Sequence, residues 1–152
     1  MKTKYKVIQA GIADLEQVSS LFDRYRQFYQ QKADIALARD FIAERITNNS
    51  SVIFLAIDND NNALGFTQLY PSYCSVEAKP ILILYDLFVD DRARNQGVAK
   101  ALMNRALELA KMTQACRIDL ETAKDNHQAQ ALYQSLGYQL DNDYDKYYLE
   151  DF

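Results

Sequence analysis

Residues 85–110 read YDLFVDDRARNQGVAKALMNRALELA. They finish an apolar run, residues 81–89, with the length and composition of a buried strand, and pass through the polar loop DDRARNQ into a helix. Val98, Leu102, Ala106 and Leu109, flanked by Ala99, Met103 and Ala110, give that helix an apolar face wide enough to pack on a sheet. Gly97 stands at the junction. A strand, loop and helix joined this way aim unpaired backbone N–H groups outward at the positive end of the helix dipole, which suits a phosphate or pyrophosphate. Neither GxGxxG nor GxxxxGKS/T is present, so dinucleotide-fold and P-loop readings find no support.

Upstream, residues 4–10 (KYKVIQA) predict a first strand, and Asp14 with Gln17 forms a capping-box-like helix start. Leu15, Val18, Phe22, Tyr25 and Tyr29 then make one apolar helical stripe. A weaker helical stretch at about residues 35–46 is broken by Asn48, Asn49 and Ser50. VIFLAID (52–58) and ALGFTQLY (63–70) read as a hairpin across the turn residues 59–62, and residues 71–80, bounded by two prolines, as an irregular loop. Downstream, residues 116–123 alternate like a strand. A helix starting near Asp125 or Asn126 buries Ala129, Leu132, Tyr133 and Leu136 and stops at Gly137, and two short strands follow, the second around residues 146–149. The order predicts an α/β (α+β) fold in one domain, 1–152: a mixed central sheet of about seven strands flanked on both faces by about four helices.

The composition is that of a globular chain, with 49% apolar and 25% charged residues, which excludes disordered, collagen-like and disulfide-scaffold classes. A net charge of −4 without a Lys/Arg run argues against nucleic acid as a partner. Cys74 and Cys116 have only His127 as a soft co-ligand, so neither a metal site nor a disulfide framework is expected, and a reducing, cytoplasmic compartment is. No export signal or membrane anchor is expected either, because the first residues lack an apolar core and no apolar run approaches a bilayer span. A single histidine weakens Ser-His-Asp hydrolysis.

The loop Arg94-Asn95-Gln96-Gly97-Val98-Ala99 resembles the Q/R-x-x-G-x-G/A acyl-CoA motif of the GNAT N-acetyltransferases. The later stretch Asn126-His127-Gln128-Ala129-Gln130-Ala131-Leu132-Tyr133-Gln134-Ser135-Leu136-Gly137-Tyr138 is similar to that family's N-x-x-A-x-x-L-Y-x-x-x-G-F/Y segment. The element order matches over almost the whole chain, which also resembles a bacterial subgroup often compared with histone and polyamine acetyltransferases. The resemblance implies the GNAT fold, acetyl-CoA as co-substrate and direct acetyl transfer to an amine. It implies that main-chain N–H groups of Gln96, Gly97, Val98 and Ala99 hold the pyrophosphate and that main-chain groups of Leu87, Phe88 and Val89 pair with the pantetheine arm. Asn126 matches a residue that contacts that arm, and it reads equally as a helix N-cap.

Tyr133 matches the family tyrosine that protonates the departing thiolate. A phenol of pKa ~10 is intact at pH 7 and can donate to a thiolate of pKa ~8.5. An amine of pKa ~10.4 lies roughly 4 to 5 kcal/mol from its neutral form at pH 7, so a general base is needed. Two carboxylates compete for that role. Glu121 ends the polar face of the strand before Asn126, where some members carry a base that works through water; Asp86 is the one charge inside ILILYDLFV. In diamine-acetylating relatives the acids match Tyr85 and Asp86, and the tyrosine departs from that pattern. His127 reads as an exposed first-turn residue.

Tyr25, Tyr29, Tyr70, Tyr73 and Tyr85 either line an acceptor pocket or pack structurally. The acceptor is read as a small cationic amine or a lysine-like side chain, and the acidic ending LDNDYDKYYLEDF either favours cations or merely solvates the terminus. Family resemblance and the aromatic end point to a homodimer. The rival reading is a non-catalytic acyl-CoA-binding sensor or interaction module that keeps the fold.

Overall fold

The computed structural model describes residues 4–152, which fall into two compact units, one through Leu120 and the other Glu121–Phe152. The first carries β1 (Tyr5–Gln9), α1 (Leu15–Phe28), α2 (Ile35–Thr47), β2 (Val52–Asp58), β3 (Ala63–Cys74), β4 (Lys79–Val89), α3 (Val98–Met112) and β5 (Ile118–Leu120), with single 3-10 turns at Ile12–Asp14 and Asp91–Ala93. The strands form one sheet in the order β1-β2-β3-β4-β5, antiparallel except for the parallel β4–β5 pair.

Alternation along β2 divides the packing. Ile53, Leu55 and Ile57 join Leu15, Val18, Leu21 and Phe22 of α1 and Ala38 and Ile42 of α2 in one buried cluster. On the other face Arg105 of α3 lies 4.9 Å over the Phe54 ring and donates to the Val7 carbonyl at 2.7 Å. The expected α1 stripe is buried through Phe22, whereas Tyr25 is half-buried and Tyr29 exposed. Asp23, which the stripe omits, is buried: it accepts from the Asp34 N–H at 2.9 Å and ties α1 to the start of α2.

Two expectations for this unit need correction. Residues 71–80 are no irregular loop: β3 runs on to Cys74 and β4 begins at Lys79, with Pro71 opposite Leu82 and Tyr73 opposite Pro80. Pro71 is tolerated because the β2 ladder stops at Leu69, which leaves that side of β3 an edge where no N–H is required. The strand expected at residues 116–123 is only Ile118–Leu120.

In the second unit α4 (His127–Ser135) is capped by Asn126, whose side chain accepts from the Ala129 N–H at 3.2 Å. It ends at Gly137 (φ +91°), beside which the Tyr138 N–H returns to the Tyr133 carbonyl at 3.0 Å. Ala129, Leu132, Tyr133 and Leu136 are half-buried rather than buried. The two last strands do not form, so the described residues hold five strands, not about seven, and four α-helices. Beyond Tyr138 the segment is mostly exposed, and Asp141 draws the Asp143 and Tyr144 N–H groups into a local turn that competes with strand pairing.

At Gly65 the neighbouring strand β4 leaves no room for a side chain. A Cβ there would lie 2.7 Å from the Phe88 carbonyl oxygen, a backbone atom that cannot move aside alone. Gly65→Ala is expected to cost about 1 to 3 kcal/mol through forced strand separation and to lower the melting temperature by several degrees. A wild-type thermal melt would show that the strands part without cost.

Candidate active site

Asp86 is only 3% exposed, in the middle of β4 and on the same strand face as Phe88. Above it Leu84 pairs with Leu69, yet Asp86 pairs with Gln68, so Tyr85 is an extra residue and forms a β-bulge. The bulge brings Asp86 directly opposite Gln68, whose Nε2 donates to Asp86 Oδ2 at 2.6 Å. The Tyr25 hydroxyl donates to the Tyr85 carbonyl at 3.3 Å and also reaches the Asp86 carboxyl. Burial pushes the Asp86 pKa above the usual carboxylate value, against the opposing hydrogen bonds from Gln68 and Tyr25.

The surrounding phenols respond to the same environment. Burial, then the Asp86 charge, raises Tyr25 well above the usual phenol range and raises Tyr29 with it; Tyr70 is pushed up to about 12 by the same two causes. All three therefore keep their hydroxyl protons at neutral pH. Tyr25 and Tyr29 meet edge to face at 5.0 Å, as do Tyr70 and Tyr85 at 5.8 Å. Four tyrosines of the expected five thus gather at or near one carboxyl. Tyr73, 78% exposed near the end of β3, does not join them.

Beyond Asp86 the β5 ladder ends at the Leu84–Leu120 pair, so the second edge of β4 from Tyr85 through Leu87, Phe88 and Val89 pairs with no strand among the described residues. The chain then turns on Asp90, a buried carboxylate. Asp90 accepts from the Arg92 N–H at 3.0 Å, from Arg92 Nη2 at 3.0 Å and from Arg24 Nη1 of α1 at 2.8 Å. Arg24 also lies 5.5 Å from the Phe88 ring centroid. The Arg92 and Arg24 guanidinium groups hold the Asp90 carboxyl well below the usual carboxylate range.

Past this knot, Arg94 pairs with Asp91 at 2.8 Å, Asn95 has φ +60° and Gly97 φ +79°. A Cβ on Gly97 would meet only the Tyr5 hydroxyl at 3.5 Å, so left-handed backbone rather than crowding calls for glycine. The Tyr5 hydroxyl donates to the Gln96 carbonyl at 3.2 Å and pins the loop. No side chain caps α3 and its first turn holds no acid, although an uncapped helix start leaves N–H groups that want an acceptor. Gln96 and Gly97 are exposed, Ala99 is half-buried and Val98 is buried.

In the second unit, the Glu121 side chain is 70% exposed and both its oxygens accept from Lys146 Nζ at 2.6 Å. Tyr133 is half-buried, its ring 6.1 Å from that of Tyr138. His127 is exposed at the first position of α4.

The acetyltransferase (GNAT) family model matches residues 15–138. This chain belongs to the GNAT acetyltransferase family. It is 39% identical over 141 residues to an uncharacterized N-acetyltransferase, YhfO, of Bacillus subtilis (strain 168), with 93% of this chain and 94% of the relative covered. A probable acetyltransferase of Haemophilus influenzae (strain ATCC 51907 / DSM 11121 / KW20 / Rd) is 29% identical over 135 residues, covering 89% and 90%. The crystal structure of a probable acetyltransferase superposes with a TM-score of 0.92 at 36% identity, covering 97% of this chain and 98% of the other. A ribosomal-protein-alanine N-acetyltransferase of Brucella melitensis biovar Abortus 2308 shares the fold at 16% identity, with a TM-score of 0.77 over 97% of this chain and 99% of the other. The protein is therefore an acyltransferase with the α+β GNAT fold; family members use acetyl-CoA as acetyl donor and act on amine acceptors. Among the described residues no helix is long and apolar enough to cross a membrane.

Sequence reasoning missed two polar groups of this acetyltransferase. Gln68 lies in a strand that reads as a simple hairpin arm, and Asp90 opens what reads as a solvated loop. The one available signal was a second acid, Asp90, placed immediately after the apolar run that holds Asp86.

Asp90→Asn removes the charge that two arginines meet. It is expected to cost about 2 kcal/mol at pH 7. Because the native carboxyl titrates below its unfolded value, its contribution is complete above the ordinary carboxylate pKa near ~4 and disappears as pH falls through the lower, folded value. Denaturant melts of both proteins should therefore converge toward low pH, and a gap independent of pH would remove the charge from the explanation.

Proposed function

We propose that the protein is an acetyl-CoA-dependent N-acetyltransferase that passes acetyl directly to a primary amine, either a small cationic amine or a lysine-like side chain. The observation that carries this reading is a buried carboxyl of raised pKa among tyrosines, on the same strand whose open edge leads to an uncapped helix start. The residues fit the donor. The N–H groups from Gln96 to Ala99 at the uncapped start of α3, with Arg94 and Asn95 beside them, suit a pyrophosphate, and Leu87, Phe88 and Val89 offer main-chain groups to an amide-bearing arm. Bound acetyl-CoA supplies an acetyl thioester.

In this reading Asp86 takes the amine proton, since burial brings its proton affinity closer to neutrality than an ordinary carboxyl's. The tyrosine rings and the carboxylate together favour a cationic approach. The N–H near Val89 polarises the thioester carbonyl, Tyr133 gives its proton to the leaving thiolate and Asn126 contacts the donor arm. Glu121, engaged by Lys146, is the competing base. We read residues 1–152 as a single GNAT N-acetyltransferase domain. Asp141, Asp143, Asp145, Glu150 and Asp151 add a local negative field for cations. The free thiols Cys74 and Cys116 suit a reducing, cytoplasmic compartment, and exposed Tyr147, Tyr148 and Phe152 suit coverage in a homodimer.

Acetyl-CoA should raise the melting temperature of the wild type, and Gly97→Asp, which adds a side chain and a negative charge to the loop, should abolish that shift while leaving the fold intact. An unchanged shift would move the donor site elsewhere. A shift with no release of free CoA thiol across a panel of primary amines would instead favour a binding-only module.

The chemistry is separated by kcat/KM profiles against pH for Asp86→Asn, Glu121→Gln and Tyr133→Phe. Asp86→Asn should lose the ascending limb, Glu121→Gln should keep it, and Tyr133→Phe should lower turnover by about 10² to 10⁴ with donor affinity little changed. A limb lost only in Glu121→Gln would transfer the base role to Glu121. Wild-type turnover in Tyr133→Phe would leave that tyrosine as packing.

A further inference from the structure

Gln68 is fully buried at the centre of β3, an expensive place for a primary amide unless its donors and acceptor are matched. Ser51 Oγ donates to Gln68 Oε1 at 2.7 Å, and Gln68 Nε2 donates to Asp86 Oδ2 at 2.6 Å. The two contacts orient each other. An ionised carboxylate can only accept, so it demands the NH₂ end of the amide, and that leaves the oxygen end for the serine hydroxyl, which can donate. The register makes the meeting possible: continued from Leu69–Leu84 without a bulge, the ladder would set Gln68 opposite Tyr85 and carry Asp86 one residue away.

We infer that Gln68, its amide held by Ser51, is a positioning residue for acetyl transfer: it fixes one oxygen of Asp86 and keeps the carboxylate ionised for the incoming amine. The inference rests on the reading of Asp86 as the group that takes the amine proton. With Ser51 on Oε1, the amide offers a donor to Asp86 and none of its acceptor capacity, so it favours the charged form against the cost of burial. The other titratable and charged groups around this carboxyl are Tyr25 and Tyr29 of α1, Tyr70 of β3, Tyr85 of β4 and, acting on Tyr70, Arg45 of α2. The three tyrosines other than Tyr85 hold their protons well above neutral pH. None of these three changes charge where a carboxyl would titrate.

The test pairs two measurements on Gln68→Leu, Ser51→Ala and the wild type. One is the titration of the Asp86 carboxyl carbon by NMR, assigned with Asp86→Asn; the other is kcat/KM against pH with acetyl-CoA and spermidine as the amine probe. In Gln68→Leu both the carboxyl titration and the ascending limb should move upward by about one pH unit, a roughly tenfold loss on the limb and a smaller one at alkaline pH. Ser51→Ala should shift both in the same direction by less, and because Ser51 lies just before β2 it serves where Gln68→Leu fails to fold. An Asp86 titration unmoved in a folded variant overturns the inference while leaving Asp86 available as the base. A titration that moves while the limb stays overturns the base reading, and the inference with it. An equal loss at every pH, with an unmoved titration, assigns Gln68 to packing alone. The titration requires no acceptor, so it decides the positioning claim at any rate of spermidine turnover.

Discussion

A carboxylate in the middle of a strand is stable only if its neighbours supply donors, and β4 is built around meeting that demand for Asp86. The extra residue at Tyr85 shifts the ladder so that Gln68 arrives opposite the acid, while the carbonyl of Tyr85 accepts from Tyr25. The bulge, the buried amide and the last turns of α1 are thus one arrangement. Replacing the acid by an apolar residue would leave the buried Gln68 NH₂ without the acceptor it has here.

The same strand ends on a second buried acid handled in the opposite way. Asp86 is met by a neutral amide and a phenol, and burial raises its proton affinity; Asp90 is met by two guanidinium groups, and its proton affinity falls. Two aspartates four residues apart therefore differ in what they can do near neutral pH. Asp90 remains an anion and serves as an anchor for the turn into the Gly97 loop, whereas Asp86 lies closer to the range where a proton can be exchanged.

Much of this was readable from residue order, for reasons that differ by element. The first helix, the β2–β3 hairpin and α3 have local causes in stripe, turn and glycine, and Asn126 and Gly137 act as the cap and stop that their types suggest. Asp86 stood out because a lone charge in an apolar run is conspicuous. What stayed hidden was non-local. Pro71 reads as a breaker until the pairing of β3 with β2 is known to stop at Leu69, two residues earlier, and Gln68 gains its meaning only from a register that contains a bulge. The ending at residues 146–149 failed in the other direction: its alternation is too short to make a strand when nearby acids and Asx turns compete for the backbone.

Consecutive residues of α1 hold the bulge of this strand and the turn that follows it. Arg24 bonds Asp90, where the chain turns toward the Gly97 loop, and Tyr25 bonds the bulge beside Asp86. Their helix is seated through Val18 and Phe22 in the core, and the Phe22 ring stacks on that of Tyr25 at 6.2 Å. A small roll or slide of α1 therefore cannot reach one contact without reaching the other, so that a packing change at Val18 would disturb the turn into the Gly97 loop and the Asp86 bulge together. Separate adjustment of the two contacts is closed to this chain at those positions, and α1 behaves as their common bearing.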